Sequence, residues 1–402
     1  MRAVPGVPDK LPQVVSRDPA ERHRVATSLE LLFDLCFVGA VSQAAAHLDR
    51  FLVEGQTWRG VSSFALVFFA IWWAWMNFTW FASAYDSDDV PYRLLVLVQI
   101  SGALILAAGV PKIMDERDFA LGVSGYVVMR LAMVALWVRA GRGDPERRRT
   151  TYRYAAGVGG VQLCWVGFLT LPPETQWYLV SFLIVVELAV PAWAERTGST
   201  TWHPHHIAER YGLFTLIVLG ESVVAATAAI QSEIDLGGFD GYLAGVAVGG
   251  LLIVFGMWWI YFAVSAHGFL TSTRRAFIWG YGHYLIFGSA AAVGAGLGVA
   301  VAYGSGGRHV SATVAGAAVT LPVAAYLFTV WLLHLRPHPI SGVHGFATPV
   351  AAGLTLVATF TPDSVLAAGL VMAALVAVKA RYLPTAPHLR AEAPAQGEVQ
   401  TD

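Results

Sequence analysis

The sequence of 402 residues is poor in charge and in cysteine. Charged residues make up 13% of the chain and hydrophobic residues 56%, whereas an average soluble domain has about 25% charged residues. A net charge of −1 excludes strong electrostatic attraction to nucleic acid, so we expect no nucleic-acid partner. The two cysteines, Cys36 and Cys164, lie in apolar runs and predict buried thiols without a disulfide framework.

Several familiar signatures are also absent. The sequence contains no Walker A motif, no G-x-G-x-x-G and no G-x-S-x-G, so ATP-driven transport, dinucleotide chemistry and serine hydrolysis lack support. Residues 1–26 are polar and basic without an apolar core, and we therefore expect no cleavable signal peptide. We expect the ends of the chain, 1–26 and 384–402, to be disordered cytoplasmic tails because they are rich in proline and charge.

Long apolar runs are what the sequence has instead. Runs long enough to cross a bilayer, which takes about 20 residues, occur about twelve times and predict an all-α, polytopic membrane helix bundle in contact with lipid. Forty glycines and fourteen tryptophans fit this class, because small residues let membrane helices approach and aromatic residues lie at the interfaces. The expected spans are 29–48, 61–84, 93–111, 119–139, 153–171, 177–194, 207–230, 242–264, 276–302, 312–334, 345–360 and 364–381.

The distribution of lysine and arginine predicts the orientation of these spans. With twelve spans, most basic residues fall in the segments on the same side as the two ends of the chain. Because short cytoplasmic loops are enriched in lysine and arginine, we expect both termini to be cytoplasmic.

Faint internal similarity predicts two repeated halves of six helices each. The segment 32–39 resembles the segment 213–220, and Trp72-Trp73 matches Trp258-Trp259. Chance matches between apolar sequences are the alternative explanation. A parallel repeat of this kind occurs in transporters, where substrates bind at the interface between repeats, so the first and seventh spans should lie at the centre. The expected halves are residues 27–200 and 201–383.

Two carboxylates lie in the first span. A charged side chain at the centre of a membrane helix costs roughly 2.5–3.5 kcal/mol on insertion scales. Glu30 and Asp34 are four residues apart, so both project from one helix face. We therefore expect that face to contact protein, an ion or water.

The seventh span carries a second set of ionisable residues. His206, Glu209 and Arg210 lie within about one turn of each other, and Glu221 lies three turns further along the helix. The functional interpretation is a path for an ion or substrate that is lined by carboxylates. These four residues, the two carboxylates of the first span, Arg93 and Arg130 are therefore the candidate residues for binding a substrate or ion.

A structural interpretation of these charges is a satisfied ion pair inside the membrane. Arg130 of the fourth span could pair with Asp34 or Glu221, since a lone buried charge is expensive. Glu187 and His283 are further intramembrane residues that are explained equally well by packing and hydrogen bonding.

An aspartate cluster follows the second span. Asp86, Asp88 and Asp89 precede Arg93 at the start of the third span, at the membrane level where the first span begins. Crowded carboxylates repel unless a cation is present or one is protonated, so the cluster could hold Mg²⁺ together with a diphosphate. It also fits the D-x-D-D pattern with which terpene cyclases donate a proton from the middle aspartate. A solvated turn that caps the third span is the structural alternative.

A histidine-rich segment precedes the seventh span. His203 and His205, with His206 and Glu209, could bind a transition metal through imidazole nitrogens. The alternative is a short polar loop, because cysteine ligands and a second helix of known register are lacking.

Three motifs carry a resemblance to a known family. They are the segments 28–38, 85–93 and 208–222, and in this order they resemble the bacterial low-temperature requirement A family over about residues 27–381. The resemblance implies an integral membrane protein of many helices, in the inner membrane of a bacterium. It implies no particular reaction or cargo.

Three hypotheses for function follow. The first is a secondary transporter or channel-like permease for a small molecule, proton or cation, in which Asp34 and Glu221 bind the ion and Arg130 is their counter-ion. The second is an intramembrane enzyme that acts on an isoprenoid or lipid and uses Mg²⁺ bound at Asp88 and its neighbouring aspartates, inside a tryptophan-lined interior. The third is a membrane scaffold or sensor, in which all these carboxylates are dispensable.

Overall fold

The fold is built from helices, as predicted. The computed structural model describes residues 14, 16–17, 25–85, 87–235, 240–306, 310–336 and 345–382, and these residues contain no β-strand. Asp86, the expected C-terminal tail and most of the expected N-terminal tail lie outside the described residues. The α-helices are α1 (Ser28–Cys36), α2 (Val38–Val53), α3 (Thr57–Tyr85), α4 (Val90–Glu116), α5 (Ala120–Gly143), α6 (Arg148–Phe168), α7 (Pro173–Ala194), α8 (Pro204–Asp235), α9 (Gly241–Phe262), α10 (Thr273–Gly304), α11 (Ala312–Val330), α12 (Ala347–Ala358) and α13 (Ser364–Tyr382).

Ten helical segments of the described chain are long and apolar enough to cross a membrane. They confirm the predicted polytopic helical membrane protein. The two other expected spans, 153–171 and 345–360, coincide with α6 and α12, which are not among these ten segments. The helix α6 has 21 residues but is less apolar, since it begins with arginines and contains polar side chains. The helix α12 has only 12 residues, a rise of about 18 Å, whereas the hydrocarbon core is about 30 Å thick.

The first span is interrupted. Thr27 caps α1 reciprocally with Glu30: the Thr27 hydroxyl accepts from the Glu30 N–H, and the Glu30 carboxylate accepts from the Thr27 N–H. At the other end of α1, the N–H of Phe37 donates to the carbonyl of Asp34 at 3.2 Å, a tight turn, and α2 then begins at Val38. The turn at Phe37 therefore lies three residues after Asp34 and is bonded to the backbone carbonyl of Asp34.

Cross-links between helix ends define two faces of the bundle. On the first, Arg139 at the end of α5 binds Asp89 before α4 at 2.6 Å; this face also contains Thr27, and we call it the Thr27 face. On the other, Arg50 at the end of α2 pairs with Asp115 at the end of α4; we call it the Asp115 face. These pairs fit successive helices that cross the bundle in opposite directions.

Packed neighbours follow the chain order in two groups of helices. Helix α2 packs on α4, α4 on α5, α5 on α6 and α6 on α7; likewise α8 packs on α10, α10 on α11, α11 on α12 and α12 on α13. The extensive packing of α9 on α13 has no counterpart of similar extent between α3 and α7. Helix α2 also packs on both α10 and α8, and α1 contacts α8, so α1, α2 and α8 lie next to one another.

The two cysteines are not both buried, contrary to the prediction. Cys36 is half-buried and Cys164 is exposed on the outside of α6, and both are free thiols. A thiol behaves as a small hydrophobe, so a bilayer can cover it as well as protein can, and an apolar run does not show which way it points. The two matched tryptophan pairs also differ, because Trp72 and Trp73 are buried whereas Trp258 and Trp259 are 44% and 41% exposed.

Replacing Gly125 by alanine should lower the free energy of unfolding by about 1–3 kcal/mol, because added bulk overpacks a tight helix contact. A Cβ atom at Gly125 would lie 2.6 Å from the carbonyl oxygen of Gly102 and 2.5 Å from the backbone nitrogen of Leu106, so α4 and α5 would have to separate. The matched control is Gly160→Ala, since nothing lies within 4 Å of a Cβ atom there. Thermal unfolding in detergent should show Gly125→Ala melting below Gly160→Ala; the reverse order would contradict this packing.

Candidate functional site

Two helices that begin at the same face bring four ionisable residues together. Glu30 and Asp34 are four residues apart on α1, and His206 and Arg210 are four apart on α8, so each pair lies on one helix face. Glu30 contacts His206 and Asp34 contacts Arg210, and both contacts join residues 176 positions apart. This constant offset is what two parallel helices in register produce.

Arg210 joins both carboxylates of α1. Its Nε donates to Oδ2 of Asp34 at 3.0 Å and its Nη2 donates to Oδ1 at 2.5 Å. Its Nη1 lies 2.9 Å from Oε1 of Glu30. A guanidinium bound through two nitrogens to one carboxylate is the strongest common form of side-chain ion pair, so Arg210 fixes α1 against α8.

Glu30 lies between the histidine and the end of its own helix. Its Oε1 is 3.2 Å from Nε2 of His206, and its Oε2 accepts a hydrogen bond from the N–H of Thr27 at 2.7 Å. His206 is the one member of the cluster whose ordinary pKa lies near neutrality. Proton uptake there would add one positive charge beside a carboxylate.

The cluster of Glu30, Asp34, His206 and Arg210, which we call the carboxylate–arginine cluster, is sealed from solvent. All four side chains have 0% exposure, whereas the functional interpretation of the sequence is a carboxylate-lined path for an ion or substrate. Trp75 of α3 donates its indole N–H to Asp34 at 2.7 Å. Aromatic rings surround these groups, including Phe78 under the guanidinium of Arg210 and Phe214 stacked on Trp75. Such surroundings strengthen every charge interaction within the cluster.

The other two candidates on α8 do not join the cluster. Glu209 is half-buried and accepts a hydrogen bond from the N–H of Ala26 at 3.4 Å, so it holds the segment that leads into α1. Glu221 is partly exposed and forms no hydrogen bond or ion pair with any described residue. The predicted pairing of Asp34 with Glu221 as ion ligands at one place therefore has no geometric basis.

Arg130 has a different partner from the one expected. Its Nη2 lies 3.5 Å from Oε2 of Glu187 and donates to the hydroxyl of Tyr126 at 2.6 Å. Glu187 also accepts hydrogen bonds from Trp73, and from Gln162 and Trp165 of α6. Arg130 is thus the counter-ion of Glu187 on α7, and not of Asp34 or Glu221.

The described aspartates of the D-x-D-D segment are bound to arginines. Asp88 accepts two hydrogen bonds from Arg93, both at 2.8 Å. Asp89 caps α4 by accepting from the N–H of Tyr92 at 2.8 Å, and its other oxygen binds Arg139. The hydrogen bonds from Arg93 lower the pKa of Asp88 below its ordinary value, so Asp88 is ionised at neutral pH and is poorly suited to donate a proton. Asp86 lies outside the described residues.

The histidine-rich segment does not assemble a metal site. Nδ1 of His203 accepts a hydrogen bond from the N–H of His206 at 3.3 Å, which caps the start of α8, and the imidazole of His206 points at Glu30. Across the described residues, no group of three or more histidine, cysteine, aspartate or glutamate side chains is placed to hold a metal ion.

His283 is not isolated, although the sequence shows it alone in its span. Its Nε2 lies 3.3 Å from Nε2 of His334 and 3.0 Å from the hydroxyl of Tyr261. His334 lies on a single π-helical turn, Trp331–Leu335, at the end of α11. Such turns often occur at functional sites, but no periodicity in the sequence predicts where one forms, so this pairing could not be anticipated.

The fold and the site define a class of protein: a polytopic helical membrane protein whose two central helices are joined by a buried cluster of two carboxylates, an imidazole and a guanidinium. Residues 25–380 match the family model described as bacterial low temperature requirement A protein. The chain belongs to this family, as the three motifs indicate. A curated relative is uncharacterized protein RA0937 of Rhizobium meliloti (strain 1021), which is 28% identical over 354 residues, covering 82% of either chain. No solved structure matches the chain significantly.

Proposed function

We propose that the protein is a proton-coupled secondary transporter and that the carboxylate–arginine cluster is its coupling site. The observation that carries this proposal is that the guanidinium of Arg210 on α8 pairs with both Asp34 and Glu30 on α1. None of these three side chains is exposed. Buried charges inside a membrane bundle are typical of ion and proton pathways. The cluster replaces the pair of Asp34 and Glu221 that the sequence suggests.

The position of the cluster between the halves supports a transport role. The shared succession of packed neighbours in α1–α7 and α8–α13 favours a repeat of two halves, residues 27–200 and 201–383. Alternating access in repeat transporters moves one half against the other around a site at their interface. An ion pair across that interface would break or form during such a movement, so its charge state would bias the equilibrium between the two arrangements.

The interruption of the first span supports the same proposal. Transporters commonly bind ions where a membrane helix is discontinuous, because backbone groups are released there. In this chain a tight turn at Phe37 lies three residues after Asp34 and bonds to its backbone carbonyl. A change in the bonding of Asp34 is therefore placed to alter the angle between α1 and α2.

A second carboxylate lies near the opposite face of the same span. Asp49 on α2 is 15 residues beyond Asp34, about 22 Å along a helix, and packs against Gly298 of α10. Its Oδ1 is buried without a hydrogen-bond partner among the described residues. Aromatic rings, among them Trp75, Phe214 and Phe287, lie beside the cluster. This arrangement suits a closed state in which acidic groups lie at both ends of a blocked path.

We also propose that the Thr27 face is cytoplasmic in a bacterial inner membrane. Arg147, Arg148 and Arg149 at the start of α6, together with Arg196 and Arg274, lie at this face. Lysine and arginine are concentrated in cytoplasmic loops of membrane proteins. The proton would then reach His206 and Glu30 from the cytoplasmic side.

The transporter proposal is tested by pH-jump currents of proteoliposomes on a solid-supported membrane, which need no known cargo. The wild-type protein should give a transient current when the external pH is stepped, because protons enter the buried cluster. Asp34→Asn should reduce this current to background, since it removes the charge that Arg210 binds. His206→Gln should keep the ion pair and flatten the pH dependence of the current.

Glu187→Gln is the matched control, because Glu187 is also a fully buried carboxylate paired with an arginine but lies within one half. Per reconstituted molecule, its current should equal that of the wild-type protein. A current in Asp34→Asn as large as in the wild type would refute the coupling role, and equal losses in both variants would reduce the cluster to a structural element.

A further inference from the structure

A crevice runs along α3 between α7 and α10, away from the carboxylate–arginine cluster. Its wider part has a volume of about 540 Å³ and is lined by Phe69, Trp72, Ile184 and Tyr284, among others. This volume lies within the usual range of about 300–1,000 Å³ for small-molecule sites. Ser181, on its rim, is exposed, so the wide part opens sideways, toward the bilayer.

A narrower cavity continues the crevice to the Thr27 face. Its volume is about 30 Å³, and Tyr281 of α10 lines both parts. The hydroxyl of Tyr281 donates to the carbonyl of Leu188 on α7 at 3.3 Å. Tyr281 therefore separates the two parts, and rotation of its side chain would connect them.

The narrow cavity contains a carboxylate that no base neutralises. Glu195, at the end of α7, accepts hydrogen bonds from the hydroxyls of Tyr154 and Thr200, both at 2.9 Å. It forms no ion pair with any lysine, arginine or histidine among the described residues. Indole rings of Trp80 and Trp202 also line this cavity. A carboxylate among aromatic faces is a favourable environment for an organic cation.

The size of the narrow cavity limits which cation fits. A cavity needs about 10–15 Å³ of accessible volume to hold one water molecule. The volume of about 30 Å³ therefore accepts a primary ammonium group, whereas a bulkier trimethylammonium group would have to displace the surrounding side chains. The wide cavity is apolar instead, because aromatic and aliphatic side chains dominate its walls.

We propose that the crevice binds a single-chain primary alkylamine, with its ammonium group at Glu195 and its hydrocarbon chain in the wide cavity beside Trp72. The orientation matches that of an amphiphile in a bilayer leaflet. Glu195 lies at the membrane end of α7, and the wide cavity follows α7 toward the Asp115 face from Leu188 to Trp177. This site is separate from the coupling site and does not depend on the transport proposal.

Photolabelling with dodecylamine that carries a diazirine in its chain tests the site. The protein is placed in nanodiscs of phosphatidylcholine and phosphatidylglycerol, and labelled residues are mapped by mass spectrometry. We expect labels on 181–188 of α7 and 281–285 of α10, and about tenfold less labelling in Glu195→Gln, because a charge-assisted contact is lost. Glu174→Gln, at the exposed start of the same helix, is the matched control and should label normally.

Two further measurements guard against a folding defect in Glu195→Gln. Ile184→Trp fills the wide cavity without touching Glu195 and should abolish labelling, while retaining the gel-filtration profile of the wild type. Unlabelled lysophosphatidylethanolamine, which has one acyl chain and a primary amine, serves as a competitor: displacement would identify a lipid headgroup as the natural amine, and lack of displacement a free alkylamine. Equal labelling by the diazirine analogues of dodecanol or dodecyltrimethylammonium, or full labelling of Glu195→Gln, would overturn the proposal.

Discussion

Replacing Arg210 by methionine is expected to lower the free energy of unfolding by about 3–5 kcal/mol, because removal of one partner leaves buried charges uncompensated. Arg210 contacts Asp34 through two nitrogens and Glu30 through the third, and all three side chains have no exposure. Methionine preserves much of the side-chain volume, so the change measures loss of charge more than loss of packing. The measurement is denaturant or thermal unfolding in detergent, followed by tryptophan fluorescence and helical circular dichroism.

A matched control distinguishes the effect of burial on stability from the effect of ion pairing itself. Arg93 makes the same two-bond contact with Asp88, but both side chains are more than half exposed. Arg93→Met should therefore change the unfolding transition little, since solvent screens exposed ion pairs. The double variant Arg210→Met with Asp34→Leu should recover much of the stability lost in Arg210→Met, because apolar residues can replace a buried pair at small cost.

The stability result would bear on mechanism as well. If Arg210→Met were as stable as Arg93→Met, the guanidinium would not be holding two carboxylates in a solvent-free site. The halves would then lack the cross-link on which the coupling proposal rests. Recovery in the double variant, accompanied by loss of the pH-jump current, would separate the role of the ion pair in coupling from its role in folding.

Ten of the twelve expected spans and the inward orientation of the carboxylates in the first span could be predicted from the sequence. Long apolar runs give the spans, and the cost of charge in hydrocarbon implies that Glu30 and Asp34 face inward. The structure agrees, because both side chains are fully buried against α8. Spacing within one helix was therefore sufficient to show which face carries the site.

The partners of these carboxylates could not be predicted, because spacing within a helix says nothing about register between helices. Arg130 and Arg210 are both intramembrane arginines, but only Arg130 is predicted as a possible counter-ion of Asp34. The structure replaces it with Arg210 through parallel packing of α1 and α8, which aligns Glu30 with His206 and Asp34 with Arg210. Matching four-residue spacings on both helices were visible in the sequence and would have favoured this pairing.

The aspartate segment shows the opposite balance between local and long-range signals. Its D-x-D-D pattern suggests chemistry, yet Asp89 is placed as an ordinary helix cap three residues before Tyr92, as the capping alternative states. The contact of Asp89 with Arg139 comes from a different helix and has no sequence signature. Local capping was predictable, whereas the arginine that occupies the remaining carboxylate oxygen was not.

Glu187→Gln should lower the free energy of unfolding by about 3–5 kcal/mol, the usual cost of breaking a buried ion pair. Glu187 accepts hydrogen bonds from Trp73 at 2.8 Å and Trp165 at 3.1 Å, and it pairs with Arg130. An amide would turn N–H groups toward one of these donors and would leave Arg130 with no carboxylate. The same unfolding measurements apply, with Glu174→Gln at the exposed start of α7 as the control that should be nearly neutral.

Variants at the two buried arginine–carboxylate sites should thus lose similar stability but should differ in function. Only those that remove the ion pair of the carboxylate–arginine cluster should lose the pH-jump current. Glu187 joins α3, α5, α6 and α7 inside one half, so a movement of the halves leaves all of its contacts intact. Its variant should be less stable but should carry the full pH-jump current per folded molecule. A Glu187→Gln protein that is as stable as the wild type would contradict the predicted cost of breaking the buried pair. One that is folded but gives no current would show that location between the halves is not what distinguishes the coupling cluster.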